Sequence, residues 1–222
     1  MVTPASKATD TAPSGETTRH KILSAAGEVF AEQGFEGATI RAITERAGVN
    51  LAAVNYHFRD KAELYTRVLV DACSVRAAFR EVVAEGAGSP AERLRGLIHH
   101  FLESLLDPAR PEWKRRLMAR EMANPTTALD ALVEENIRPL GNEFLIPALR
   151  ELTEGCFSRR QLSRFGSSIM GQCLYYLQAR PIIERLNPDF KIDKAEISQI
   201  AEHITRFSLA AIAELTRQAR GS

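Results

Sequence analysis

A chain of 222 residues with 45% hydrophobic content can bury a substantial core, and its length suits one or two domains. Its 29 Lys and Arg against 28 Asp and Glu leave a net charge of +1, which argues against a non-specific polyanion binder and is no help in finding a DNA reader. No apolar stretch approaches the roughly 20 residues that a membrane span needs, so no membrane partner is expected.

Residues 1–17 are rich in Thr, Ala, Ser, Pro and Gly and lack the apolar run of a signal peptide; they read as a flexible tail on a cytoplasmic protein. A first helix is predicted from Thr18 to Gln33, with Ile22, Ala26, Val29 and Phe30 inward and Gly34 as its C-cap. Residues 39–61 then read as two short helices across a glycine turn. Thr39 can cap the first, whose inner stripe is Ile40, Ile43 and Ala47, and Gly48 permits the sharp bend that Val49 anchors. Asn50 can cap the second, with Val54 and Phe58 inward, and Asp60 followed by Glu63 makes a capping-box-like start to a further helix. Three helix starts in so short a segment point to a helix-turn-helix DNA reader.

Thr39, Arg41, Ala47-Gly48-Val49, Tyr56-His57-Phe58 and Lys61 lie as they do in the TetR family of bacterial transcriptional regulators, which residues 18–65 resemble closely. Asn50 to Phe58, together with Gln172-Cys-Leu-Tyr-Tyr-Leu-Gln-Ala-Arg-Pro, is further similar to the subgroup containing the regulator of cefoperazone and chloramphenicol sensitivity. The resemblance implies a repressor that sits on a palindromic double-stranded operator and is released by a small organic effector. It also implies DNA-contacting residues, each with a chemical reason of its own. Thr39 offers a hydroxyl and free amides to a phosphate, Tyr56 and His57 can hydrogen-bond backbone oxygens, and Lys61 adds a point charge. Arg41 can fork onto guanine or instead pair with Glu45, Asn55 can pair with adenine, and Leu51, Ala52 and Ala53 can meet only thymine methyls or sugar carbons. Apolar residues at the start of the reading helix favour shape-based readout. Charge placement must supply the attraction, because residues 18–61 carry six basic side chains against five acidic ones.

From Asp60 to Glu85 the apolar positions Leu64, Val68, Ala72, Val75, Phe79 and Val82 recur at helical spacing, predicting a helix about 39 Å long that links two domains. Gly86 to Pro90 breaks it. Ala91 to Leu106 restarts the pattern, Glu112 to Ala123 makes a short helix, and Thr126 to Leu152 is helical with a kink or break expected at Pro139 and at Pro147. Ser158 to Ala179 carries Leu162, Phe165, Ile169, Cys173 and Tyr176 on one stripe, and Ile197 to Leu215 is apolar over a wide arc; helices at about 158–179 and 193–219 are expected to form a homodimer's four-helix interface, the alternative being a monomer core.

The organisation expected is therefore all-α: a tail at 1–17, a three-helix helix-turn-helix DNA-binding domain at 18–65, and an effector-binding and dimerisation domain at 66–222. An apolar pocket with a few polar anchors would draw on Phe101, Met118, Glu121, Met122, Phe144, Gln172, Tyr175 and Tyr176, with His99 and His100 as polar or pH-sensitive members. Cys73, Cys156 and Cys173 have no metal-ligand spacing and read as structural thiols. No nucleophile set, His-x-x-x-His motif or Gly-rich phosphate loop is visible, so neither an enzyme, a metal nor a cofactor is expected. The remaining rival is a helical interaction protein whose motif is accidental.

Overall fold

The computed structural model describes residues 15–74 and 88–221, and among them every regular element is helical. In chain order these are α1 (Gly15–Gly37), α2 (Ile40–Ala47), α3 (Leu51–His57), α4 (Lys61–Ala72), α5 (Pro90–Leu106), α6 (Glu112–Ala123) and α7 (Ala128–Leu132). Two π-helical stretches, Val133–Ile137 and Leu140–Leu145, lead into α8 (Ile146–Leu152), followed by α9 (Arg159–Gln178), α10 (Arg180–Leu186) and α11 (Lys194–Arg220). No described helix is long and apolar enough to cross a membrane. Most of the predicted tail lies outside the described residues.

In the reading head, helix boundaries fall where side chains or glycines can satisfy orphan backbone groups. Regular geometry in α1 ends at Gly34, where φ is 76°. Gly48 adopts φ 65°, and its N–H closes α2 onto the Glu45 and Thr44 carbonyls. Thr39 Oγ1 accepts from the Ala42 N–H at 3.1 Å, Asn50 Oδ1 from the Ala53 N–H at 2.9 Å and Asp60 Oδ1 from the Glu63 N–H at 2.8 Å. Caps of this kind contribute about 1 kcal/mol each. The predicted box at α4 is displaced by one residue, because the Glu63 carboxylate reaches back to the Arg59 N–H at 2.9 Å rather than to that of Asp60.

The described part of α4 stops at Ala72, short of the long linker expected from the pattern; Val75, Phe79 and Val82 lie outside the described residues. The break expected at Pro139 or at Pro147 does not occur. The backbone stays right-handed helical through Pro139 and up to Pro147, and the misfit is absorbed by the π-helical turns around Pro139.

Two apolar cores result. The first joins Ile22, Phe30, Ile43, Val54, Leu64 and Val68 of α1 to α4 with Leu117 of α6 and Ala128 and Leu132 of α7. The reading head therefore has a floor supplied from beyond residue 66. Gly27 of α1 lies against the Trp113 indole of α6, and the Arg120 guanidinium donates to the Ala31 carbonyl at 3.3 Å. The second core gathers α5, the Leu140–Leu145 stretch, α8, α9 and α11 around Leu94, Ile98, Leu102, Leu149, Leu162 and Ile204.

Candidate nucleic-acid interface

α2 and α3 meet across Gly48, with Ile43 and Val54 buried between them and α1. Once Val54 faces inward, the helical period turns Ala52, Asn55 and Tyr56 outward, and Leu51 stands in solvent at the helix's first turn. All four are exposed, Leu51 at 56% and Tyr56 at 84%. Among the described residues the Tyr56 ring has only the edge of His57 beside it. Ala53 is half-buried against the first core, which leaves it the weakest placed of the expected contacts.

His57 packs its ring edge-on to Tyr56, centroids 5.0 Å apart, and is half-buried. Thr39 is exposed at the N-terminus of α2, with its hydroxyl oxygen already accepting the Ala42 N–H. Arg41 is paired with Glu45, Nε to Oε1 2.8 Å, both side chains in solvent; that bond raises the guanidinium above its ordinary range. Of the two readings left open for Arg41, the ion pair is the one present without DNA. A pair this exposed is weakly held and can yield to a phosphate or a base.

Lys61 differs most from its expected role. Its ammonium donates to the carbonyls of Phe35 at 2.9 Å, Ala38 at 3.1 Å and Glu36 at 3.5 Å, and stands over the Phe35 ring at 4.6 Å. Those bonds engage all three N–H donors of the ammonium. In this structure Lys61 is a tie between the start of α4 and the end of α1 rather than a free charge. One further tether has no counterpart in the sequence reading. Arg46 of α2 forks onto Glu32 of α1 at 2.9 and 3.0 Å, and this hydrogen bond holds the Glu32 carboxyl below its usual range. Asp60 is likewise held low, chiefly by the Glu63 N–H that it caps.

The residues proposed for an effector pocket separate into distinct places. Met118 packs on the first core, while Glu121 is fully buried there, accepting from Tyr65 Oη at 2.7 Å and from the Thr126 N–H at 2.8 Å. Burial, followed by the Glu121 hydrogen bond, raises the Tyr65 phenol above its ordinary value. Tyr65 stands outside the apolar positions read from the sequence, and its hydroxyl was the signal that a polar partner had to exist. Met122 is 53% exposed beside that cluster. Phe101 lines a cavity of about 10 Å³ with Leu97, Leu140, Leu145 and Met170, and Phe144 is buried in the second core. Gln172, Tyr175 and Tyr176 lie together instead with Gly171, His203 and Ile204, around an open concavity of about 340 Å³ between α9 and α11. Burial pushes the Cys73 and Cys173 thiols up to about 12, so neither is a ready nucleophile; Cys156 is exposed.

Comparison with known proteins agrees with this geometry. The profile of bacterial regulatory proteins of the tetR family matches residues 22–68, and that of the C-terminal domain of the HTH-type transcriptional dual regulator CecR matches residues 90–212. The transcriptional repressor AcnR of Corynebacterium diphtheriae is 37% identical over 95 residues, 43% of this chain and 44% of that protein. The regulator AcrR of Shigella flexneri is 31% identical over 104 residues, 46% of each. The matched part is thus less than half the length of these relatives. In fold, the chain is similar to a transcriptional regulator structure from Pseudomonas aeruginosa PAO1 (TM-score 0.68, 19% identity, covering 90% of this chain and 93% of that one). It is also similar to the hemolysin II regulator HlyIIR (TM-score 0.58, 24% identity, 86% and 99%). Matched in its reading head by one profile and across residues 90–212 by the other, the chain belongs to the TetR family of bacterial transcriptional regulators, with a C-terminal domain of the CecR kind.

Proposed function

We propose that this regulator represses transcription as a cytoplasmic homodimer bound to a palindromic double-stranded operator, and that a small organic effector releases it. The observation carrying this reading is the outer face of α3, where Leu51, Ala52, Asn55 and Tyr56 stand in solvent on a helix fixed from behind by Val54 and Phe58. Set in the major groove, that face gives Asn55 an adenine edge, Leu51 and Ala52 thymine methyls, and Tyr56 and His57 backbone oxygens. Ala53 contributes shape only. Thr39 and Arg41 approach the flanking backbone once the Arg41 to Glu45 pair opens, and Lys61 acts by holding the α1 end that presents Thr39.

Assembly is argued from α9 and α11. Tyr175 is 55% exposed and Phe207 60%, with Leu215 also exposed on the same two helices and the small Ser167, Ser168 and Gly171 allowing close approach. Their burial against a symmetry copy would hold two reading heads at a fixed spacing. The concavity at Gln172, Tyr175 and Tyr176 falls within the volume range of small-molecule sites and borders that face, so a ligand there would bias head spacing. Phe101 and Phe144 report on core packing behind it, and Met118, Glu121 and Met122 on the link to the head.

The test is a selection of bound DNA from a random pool, followed by band shifts of the enriched duplex at two salt concentrations. Recovery of an inverted repeat whose affinity falls steeply with salt is expected. Absence of any enriched sequence would leave only the interaction-protein reading.

A further inference from the structure

We infer that His99, His100 and Glu103, on one turn of α5, form a binding site for a divalent transition-metal ion of the Zn²⁺, Co²⁺ and Ni²⁺ class. Their candidate donor atoms lie within 4.8 Å of one another. His99 Nδ1 stands 3.4 Å from Glu103 Oε2, and His100 Nδ1 stands 3.2 Å from the same oxygen.

The hydrogen-bond network on α11 orients the first of these rings. Ser198 Oγ of α11 meets the Lys194 carbonyl at 3.0 Å and stands 3.2 Å from His99 Nε2, tying that end of the ring to α11. At the other end of the ring Nδ1 is directed at the Glu103 carboxylate. A metal ion among the two Nδ1 atoms and Oε2 would satisfy both contacts at once.

Two imidazoles and one carboxylate suit a borderline divalent ion and leave the remaining coordination positions to water. All three side chains are only half-buried, so an ion has access. The nearest cation one turn away, Arg95, is already paired with Glu202 of α11 at 3.0 Å. Because Arg95 meets Glu202 and His99 meets Ser198, α5 and α11 run antiparallel here, and an ion held by His99 acts directly on the seam with the helix proposed for assembly.

The experiment uses the tag-free full chain, stripped with chelator. Calorimetric titration with Zn²⁺ and Ni²⁺ is expected to give a single saturable site per chain, and Co²⁺ to develop visible d–d absorption. H100Q and E103Q should each weaken binding by about 10-fold or more, and S198A by about 10-fold through loss of ring orientation, while H20Q leaves it unchanged. Metal-free melting curves establish that each variant is folded; should H100Q fail, E103Q decides. Saturation only at millimolar metal, or unchanged affinity in the folded H100Q or E103Q protein, overturns the assignment.

Discussion

The Tyr65 hydroxyl of α4 donates to the Glu121 carboxylate of α6 at 2.7 Å, joining the reading head to the helix beneath it across 56 residues of sequence. Thr126 completes the carboxylate's partners with its N–H and its hydroxyl. Since Glu121 is entirely withdrawn from solvent, removing the phenol leaves one of its oxygens with only the longer Thr126 contact at 3.3 Å. Y65F is expected to lower unfolding free energy by about 1.5–3 kcal/mol, the range for a hydrogen bond to a charged group, read from urea denaturation.

Gly27 and Trp113 make the second junction between α1 and α6. A Cβ at Gly27 would overlap the indole ring, and the ring is hemmed by the first core. G27A should destabilise by about 1–3 kcal/mol through overpacking. Trp113 is the chain's one tryptophan, so its emission should shift to the red as the ring is displaced towards water. W113L combined with G27A should cost less than the two single changes added together.

On DNA, Y56F is expected to weaken affinity for all sequences, and N55A to relax preference at one base pair of each half-site by about 1–3 kcal/mol. A selected-sequence profile from N55A identical to that of the parent protein would remove Asn55 from base readout. K61A should reduce thermal stability as well as DNA affinity, because Lys61 holds three carbonyls at the end of α1.

Phe207 tests the proposed assembly. F207E places a charge on the exposed apolar face of α11 without touching either core. Light scattering on the eluting protein should give half the parent mass, and operator affinity should fall with it.

Acid sensitivity of the head should depend on Glu32. The Arg46 hydrogen bond keeps its folded pKa below the ordinary 4.5, so the stabilisation is present above that value and is lost as pH falls through the folded one. Melting temperature followed downward from just above pH 4.5 should therefore drop less in E32Q than in the parent chain, starting from a lower plateau.

Local chemistry made the reading head legible in advance. Thr39, Asn50, Asp60, Gly34 and Gly48 are residues whose side chains or backbone freedom settle helix ends within a few positions, so caps and turn could be placed without knowing any distant contact. The helical period then dictated that Val54 and Phe58 face in and Tyr56 out. Distant partners were another matter. Lys61 reads as a free charge until the end of α1 is brought within 3 Å of it. Glu121 reads as a pocket anchor until Tyr65 and Thr126 close around it. Likewise Phe101, Tyr176 and Met118 share a composition but not a place, because which apolar face meets which is fixed by the packing of whole helices. Sequence thus determined the helices and their inward faces, through interactions spanning one turn. Only tertiary packing, acting between groups tens of residues apart, decided which polar side chains were left to meet a ligand and which were used to hold the fold.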